Sequence, residues 1–224
     1  MFRHVCACVR YHHCTTTLKR ILQLIDRGEG DMLDFKKEIS SVHRIARSIV
    51  AFANHYGGTL LVGVNDDGSI SGVRAEEEKF MLEKSAAECC HPPVILSIHE
   101  WNVNGKVVLE VIVPESHNKP VYALDEEGKR WVVVRSGDQS LLASKPMVEV
   151  LRHKHSSRPV LIQYSDIEKS LLDYLKTHPR ITLKEFCKLV NIGKFRGQRI
   201  LVKLTAVGVL RLHDQEKTIF YTLG

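Results

Sequence analysis

The stretch FANHYGGTLLVGVNDDG, residues 52–68, decides how the sequence is interpreted. Its apolar run, 59–64, is too short for a helix and rich in β-forming residues, so it predicts a buried strand. The glycine pair at 57–58 can end a helix in the left-handed conformation. The acidic run 65–68 has the composition of a tight turn. The stretch therefore predicts a helix, a strand and a turn in direct succession.

The residues before and after this stretch extend the same alternation of helices and strands. Residues 41–56 carry one apolar stripe at helical spacing, with Arg44 and Arg47 outside it. Asn104-Gly105 lies between two alternating runs and predicts a hairpin. The complete set of predicted elements comprises helices over 15–29, 41–56 and 76–90, strands over 31–39, 59–64 and 130–137, a second strand beginning within 65–73, and a hairpin over 94–114. This order predicts an α+β domain with a mixed β-sheet and flanking helices.

The positive charge of the chain lies in its last third. The formal net charge is +6, yet residues 1–150 carry 18 Lys and Arg against 20 Asp and Glu. Residues 151–224 carry 14 against 6, a net charge of +8. A basic module of this kind is typical of proteins that bind polyanions.

The pattern of residues 164–224 predicts a small domain of three helices and a hairpin. Helices are expected over 165–179, 182–191 and 194–210, and two strands surround a turn near 214–217. This is the order of a winged helix-turn-helix, whose third helix reads DNA. The candidate nucleic-acid contacts on that helix are Lys194, Arg196, Arg199 and Lys203, opposite an apolar face of Ile200, Leu201 and Leu204. Winged helices also bind proteins, in which case these cations would only be solvated.

Three carboxylates suggest a second kind of chemistry. If strands 32–37 and 59–65 pair, Asp34 and Asp66 could approach each other, with Glu29 nearby. Three carboxylates around Mg²⁺ or Mn²⁺ can cleave a phosphodiester, because hard cations prefer oxygen ligands and activate water. The turn composition explains Asp66 equally well without any function.

Four short motifs occur in order along the chain: acid-Phe-Lys, Phe-Ala-Asn-x-x-Gly-Gly, Gly-Val-x-Asp-Asp-Gly and Arg-x-Gly. They lie in the segments 29–38, 45–73 and 119–143. With these motifs, residues 17–145 resemble the AlbA_2 domain, the Schlafen-type nucleic-acid-binding domain. The resemblance implies a DNA- or RNA-binding module that pairs into a two-lobed clamp, hence a homodimer when one copy is present. It also implies that a winged helix commonly follows in bacterial proteins.

The resemblance implies a catalytic alternative as well. Schlafens that cut tRNA and rRNA use a Glu, a second acid five residues later, and an Asp after Gly-Val-x. Carried over by motif, these positions are Glu29, Asp34 and Asp66. The second acid is usually Glu in those nucleases, so Asp34 is one methylene shorter. No G-x-x-x-x-G-K-[ST] loop is present, so ATP hydrolysis finds no support.

The sequence thus predicts a cytoplasmic, homodimeric, DNA-binding transcriptional regulator, with a metal-dependent endoribonuclease as the alternative. No stretch has the ~20 apolar residues of a membrane span. The predicted division is a disordered tail 1–16, an AlbA_2-like domain 17–150, a linker 151–163 and a winged helix-turn-helix 164–224. Candidate phosphate contacts in the first domain are Lys36, Arg44, Arg47 and Arg135.

Overall fold

The fold is described from a computed structural model, which covers residues 19–154, 165–215 and 218–224. The predicted tail 1–16 and most of the predicted linker lie outside these ranges. Contacts divide the described chain into two compact units. The first unit runs to Ser116 and includes Val121–Leu142, and the second contains His117–Pro120 and the described residues from Ala143 onward.

The first unit contains three helices and nine strands within the described ranges. The helices are α1 (19–27), α2 (Val42–Asn54) and α3 (Ala75–Glu88). The strands are β1 (Leu33–Lys36), β2 (Gly58–Val62), β3 (Cys90–His91), β4 (Ser97–Val103), β5 (Lys106–Val113), β6 (Tyr122–Leu124), β7 (Arg130–Trp131), β8 (Val133–Ser136) and β9 (Gln139–Leu142).

A four-stranded sheet organises the first unit in the order β1-β2-β5-β4. β1 pairs with β2 in parallel, whereas β2–β5 and β4–β5 are antiparallel. Because side chains alternate along each strand, the sheet has two apolar faces. Leu60 and Val62 pack with α2 and α3 on one face, and Leu61 and Phe35 pack with α1 on the other. The predicted mixed sheet with flanking helices is confirmed.

The segment α1 is tied to the sheet by a charged pair as well as by apolar contacts. Ile21 of α1 is fully buried against the sheet. Glu110 of β5 is also buried, and its carboxylate accepts hydrogen bonds from Arg20 Nη2 at 2.6 Å and Trp101 Nε1 at 3.1 Å. A buried carboxylate is tolerated only with such partners, so Arg20 fixes α1 over Glu110.

The junction between α2 and β2 follows the sequence prediction closely. Gly57 has φ +78, and its N–H donates to the Phe52 carbonyl at 3.0 Å, which ends the helix. A side chain on Gly57 would also lie 2.8 Å from the Val113 carbonyl oxygen. A glycine is therefore required here for both its backbone conformation and its size.

Two strand predictions differ from the structure. Residues 65–73 form only an isolated bridge between Val64 and Ile70. The loop closes on itself because the N–H groups of Ser71 and Gly72 both donate to the Gly63 carbonyl. Residues 130–137 form two strands rather than one, since β7 pairs with β6 and β8 pairs with β9.

The second unit contains four helices and one hairpin within the described ranges. They are α4 (Lys145–Lys154), α5 (Asp166–Thr177), α6 (Leu183–Leu189), α7 (Lys194–Ala206), β10 (Leu210–Gln215) and β11 (Thr218–Leu223). Capping boxes start α5 at Ser165 and α6 at Thr182. The core includes Leu171, Phe186, Leu201 and Tyr221.

The start of the predicted linker belongs to a helix instead. Residues 151–154 complete α4, because Val150 and Leu151 are buried. Residues 155–163 lie outside the described ranges. On α7, Leu201 and Leu204 are buried and Ile200 packs against them, as the sequence predicts. No helix within the described ranges is long and apolar enough to cross a membrane.

Candidate nucleic-acid interface

Arg135 of β8 is buried, with its side chain only 1% exposed. Its Nη2 donates to the carbonyls of Gly30 at 3.0 Å and Leu33 at 3.2 Å, and to Asp34 Oδ1 at 3.2 Å. Its Nη1 donates to Ser140 Oγ at 3.2 Å. The bonds to Gly30, Leu33 and Asp34 join β8 to β1 and the loop before it. The prediction that Arg135 contacts phosphate is wrong, because its donors are used inside the first unit.

The Phe-Ala-Asn-x-x-Gly-Gly motif packs around the same arginine. The Phe52 ring centroid lies 4.9 Å from the Arg135 guanidinium carbon, a cation–π distance. A side chain on Gly58 would clash with the Phe52 ring. Asn54 is buried, donates to the Val121 and Val133 carbonyls at 2.9 Å each, and accepts from the Val121 N–H at 2.8 Å. The motif therefore holds α2, β2 and β8 together.

Glu29 and Asp34 form a carboxylate pair at β1. Asp34 is buried, and its Oδ2 lies 2.7 Å from Lys36 Nζ. Glu29 Oε1 accepts from the Phe35 N–H at 2.7 Å. Partial burial raises the pKa of Glu29, and hydrogen bonding and repulsion from Asp34 raise it further, against the opposing hydrogen bond from Phe35. Lys36, a candidate phosphate contact, is thus engaged with Asp34 while 34% of its side chain stays exposed.

Asp66 lies apart from this pair. The parallel register places Asp34 opposite Leu60, whereas Asp66 follows the end of β2 and is exposed. The turn is held by Asp67, whose Oδ1 accepts from the N–H and hydroxyl of Ser69 at 2.8 and 2.6 Å. These bonds lower the pKa of Asp67.

The predicted metal site of Glu29, Asp34 and Asp66 is not assembled. Among the residues that the structure describes, no group of three or more His, Cys, Asp or Glu could hold a metal ion. The Asp34 carboxylate forms ion pairs with Arg135 and Lys36 instead. The donor set present therefore does not fit Mg²⁺ or Mn²⁺ bound by three carboxylates.

The remaining predicted cations do face solvent. Arg44 and Arg47 are exposed on α2, opposite its buried stripe. Lys194, Arg196 and Arg199 are exposed on α7, and Lys203 is partly buried. Of the described residues, none forms an ion pair with the three exposed α7 cations. The first turns of α7 therefore present a cationic surface, here called the α7 cation cluster (Lys194, Arg196, Arg199).

The sequence interpretation missed a groove beside this cluster. It has a volume of about 570 Å³ and lies between α4 and α7 in the second unit. Its lining comprises Glu149, Arg152, His153, Phe195, Gln198 and Arg199. The sequence does contain a pattern that indicates α4, because one helix face carries Met147, Val150 and Leu151.

A family model described as "Schlafen, AlbA_2" matches residues 29–144, more than half of the 224 residues. The chain belongs to the Schlafen AlbA_2 family. The family match includes Asp34, the Phe52–Gly58 motif and Arg135. In this AlbA_2 domain, those residues connect α2, β1, β2 and β8. The cations of α2, Arg44 and Arg47, are exposed on the side of the helix away from these contacts.

Two solved structures resemble the AlbA_2 chain more distantly. One is the crystal structure of the DIP2311 protein from Corynebacterium diphtheriae, with a TM-score of 0.48, 17% identity, and coverage of 75% of this chain and 34% of that one. The other is the solution structure of the N-terminal domain of a Nitrosomonas europaea protein described as related to the ATP-dependent DNA helicase RecG. Its TM-score is 0.40, with 24% identity and coverage of 56% of this chain and 95% of that one. The AlbA_2 chain thus spans about a third of the length of the first.

Proposed function

We propose that this chain is a nucleic-acid-binding protein, and specifically a DNA-binding transcriptional regulator whose second unit is a winged helix-turn-helix. Membership of the Schlafen AlbA_2 family supports nucleic-acid binding by the first unit. The order α5, α6, α7 and the β10–β11 hairpin supports the winged-helix assignment. In this proposal, α7 is the helix that reads DNA.

The α7 cation cluster is the observation that carries the proposal. Lys194, Arg196 and Arg199 are exposed within the first two turns of α7, while Leu201 and Leu204 fix the opposite side in the core. The first residues of a recognition helix are the ones that meet base edges, and Arg can bind guanine with two hydrogen bonds. A net charge of +8 over residues 151–224 adds attraction for phosphates.

The AlbA_2 unit supplies phosphate contacts and the dimer interface in the same proposal. Arg44 and Arg47 are exposed on one helix, α2, and Lys36 keeps part of its side chain accessible beside Asp34. Light scattering on the full chain should give twice the mass of one chain at micromolar concentration. A single-chain mass under those conditions would remove the dimer from the proposal.

DNA binding by α7 can be tested with charge variants of the full chain. A target site is first selected from random duplexes, and affinity is then measured by fluorescence anisotropy over a salt series. Arg196→Ala and Arg199→Ala should weaken binding, and each lost phosphate contact should reduce the log–log salt slope by ~0.9. Lys169→Ala, which removes an exposed cation of α5, is the matched control. Equal behaviour of all three variants would refute the role of α7.

RNA cleavage remains the less supported alternative. Glu29 and Asp34 are adjacent, which favours it, but Asp66 is not part of the group and Asp34 is already paired with two cations. The geometry therefore supports a binding protein better than a three-carboxylate nuclease.

A further inference from the structure

The groove between α4 and α7 brings an exposed aromatic side chain together with cationic side chains. Phe195 is 91% exposed, the largest exposed fraction among the exposed large apolar side chains of the described residues. It stands between Lys194 and Arg196 on the first turn of α7. Arg152 and His153 of α4 form the facing wall.

The packing of α7 does not account for Phe195. The helix is held in the core by Leu201 and Leu204, and by a close approach to α6 at Gly197, where a side chain would lie 2.7 Å from Cys187 Sγ. A single exposed apolar residue is ordinary on a protein surface. An exposed aromatic ring at the edge of a groove and flanked by cations is a different case, because a ring and cations together suit a ligand that is both flat and negatively charged.

That chemistry is the one used to bind unstacked nucleotides. Proteins that bind single-stranded nucleic acid place aromatic rings against bases and cations against the backbone. The groove volume of about 570 Å³ is within the range of small-molecule sites and can hold one nucleotide. Arg199 is exposed and supplies a guanidinium group to the groove. The one acid that lines the groove, Glu149, accepts a hydrogen bond at its Oε2 from Gln198 Nε2 at 3.2 Å.

We propose that this groove binds a single nucleobase that has left the base stack. The Phe195 ring stacks on the base, and Arg199 binds the phosphate beside it. The inference rests on the proposed function, since it requires α7 to lie against nucleic acid. It also specifies the ligand further: the protein should bind DNA that contains an unpaired nucleotide more tightly than a continuous duplex.

A bulged duplex tests the inference directly. The full chain is titrated against two DNA duplexes that differ only by one extra, unpaired 2-aminopurine, a fluorescent base that is quenched by stacking. The base of the bulge need not be extracted from a pair, so the wild type should bind the bulged duplex roughly tenfold more tightly and change its fluorescence as the base moves from the DNA stack to the ring. Phe195→Leu should bind both duplexes equally without this change, and Phe195→Trp should retain the preference.

The matched control is Phe80→Leu, which removes a ring that is 62% exposed on α3 of the other unit and should behave as wild type. Equal affinity of the wild type for the two duplexes would overturn the inference while leaving DNA binding intact. A bulge preference that survives in Phe195→Leu would overturn it as well. Failure of the wild type to bind either duplex would instead remove the proposed function together with this inference.

Discussion

The Arg135 guanidinium lies 3.2 Å from the Asp34 carboxylate, and both side chains are buried. The two residues are 101 positions apart in the sequence. Arg135 also binds the carbonyls of Gly30 and Leu33, so the pair connects β8 to β1 and the preceding loop. The motif arginine therefore has a structural role in this chain, and the nucleic-acid contacts are to be sought on exposed cations.

Replacing Arg135 should strongly destabilise the first unit. Arg135→Met leaves the Asp34 carboxylate buried with Lys36 as its remaining charged partner, and breaking a buried ion pair costs about 3–5 kcal/mol. Urea denaturation measures this loss in the free energy of unfolding. Adding Asp34→Asn to the Arg135→Met variant should recover part of the lost free energy of unfolding, because the double variant has no buried charge at position 34. Arg130→Ala, at an exposed position of β7, should change stability by less than about 0.5 kcal/mol.

A second stability prediction concerns the buried amide of Asn54. In Asn54→Asp, the new carboxylate still accepts from the Val121 N–H, but an oxygen replaces the nitrogen that donates to two carbonyls. We expect a loss of at least ~2 kcal/mol, since three buried acceptors would face one another. Asn102→Asp is the control, because exposed Asn102 acts as an acceptor for the Gly105 N–H. Equal stability of the two variants by urea denaturation would contradict this role.

Glu29 should make stability depend on pH in a defined direction. Its folded-state pKa is raised, chiefly by burial, so the folded state binds the proton more tightly than the unfolded state does. Stability must then fall as the pH rises through the ordinary carboxyl range and above it. Glu29→Gln keeps an acceptor for the Phe35 N–H and removes the titration. Thermal unfolding between about pH 4 and pH 7 should show wild type losing stability relative to Glu29→Gln; the opposite trend would refute the assignment.

A substitution of Asp66 tests whether this residue serves only the turn or also binds a metal ion. The side chain is exposed, and Asn serves turns as well as Asp does, so Asp66→Asn should leave folding and DNA binding unchanged. We expect wild type to leave tRNA and single-stranded RNA uncut in Mn²⁺. Mn²⁺-dependent cleavage that is lost in both Asp34→Asn and Asp66→Asn, with folding intact by circular dichroism, would instead establish the ribonuclease.

Local patterns in the sequence were sufficient for part of this fold. The end of α2 just before Gly57 and the strand after it follow from periodicity and backbone conformation alone. The hairpin β4–β5 follows from Asn104-Gly105, both of which have positive φ. These features depend on residues that are close in the chain.

The candidate site was harder to predict because it depends on distant residues. Nothing adjacent to Arg135 in the sequence shows that Asp34 and Gly30 bind it, so the arginine was predicted to be exposed. The predicted approach of Asp66 to Asp34 depended on the strand register, which pairs Asp34 with Leu60. The groove was missed because the polar end of α4 was interpreted as a linker, and Phe195 can be identified as exposed only once α7 is packed.

The contact between Arg20 and Glu110 has a consequence for where the domain can be cut. The family match begins at residue 29, eight residues after the buried Ile21. A protein truncated there would lose α1, uncover the apolar face that includes Phe35 and Leu61, and leave Glu110 without its guanidinium partner. Limited proteolysis should therefore spare the segment from Arg20 to Gly28, and the smallest autonomous folding unit begins upstream of the region by which the family is recognised.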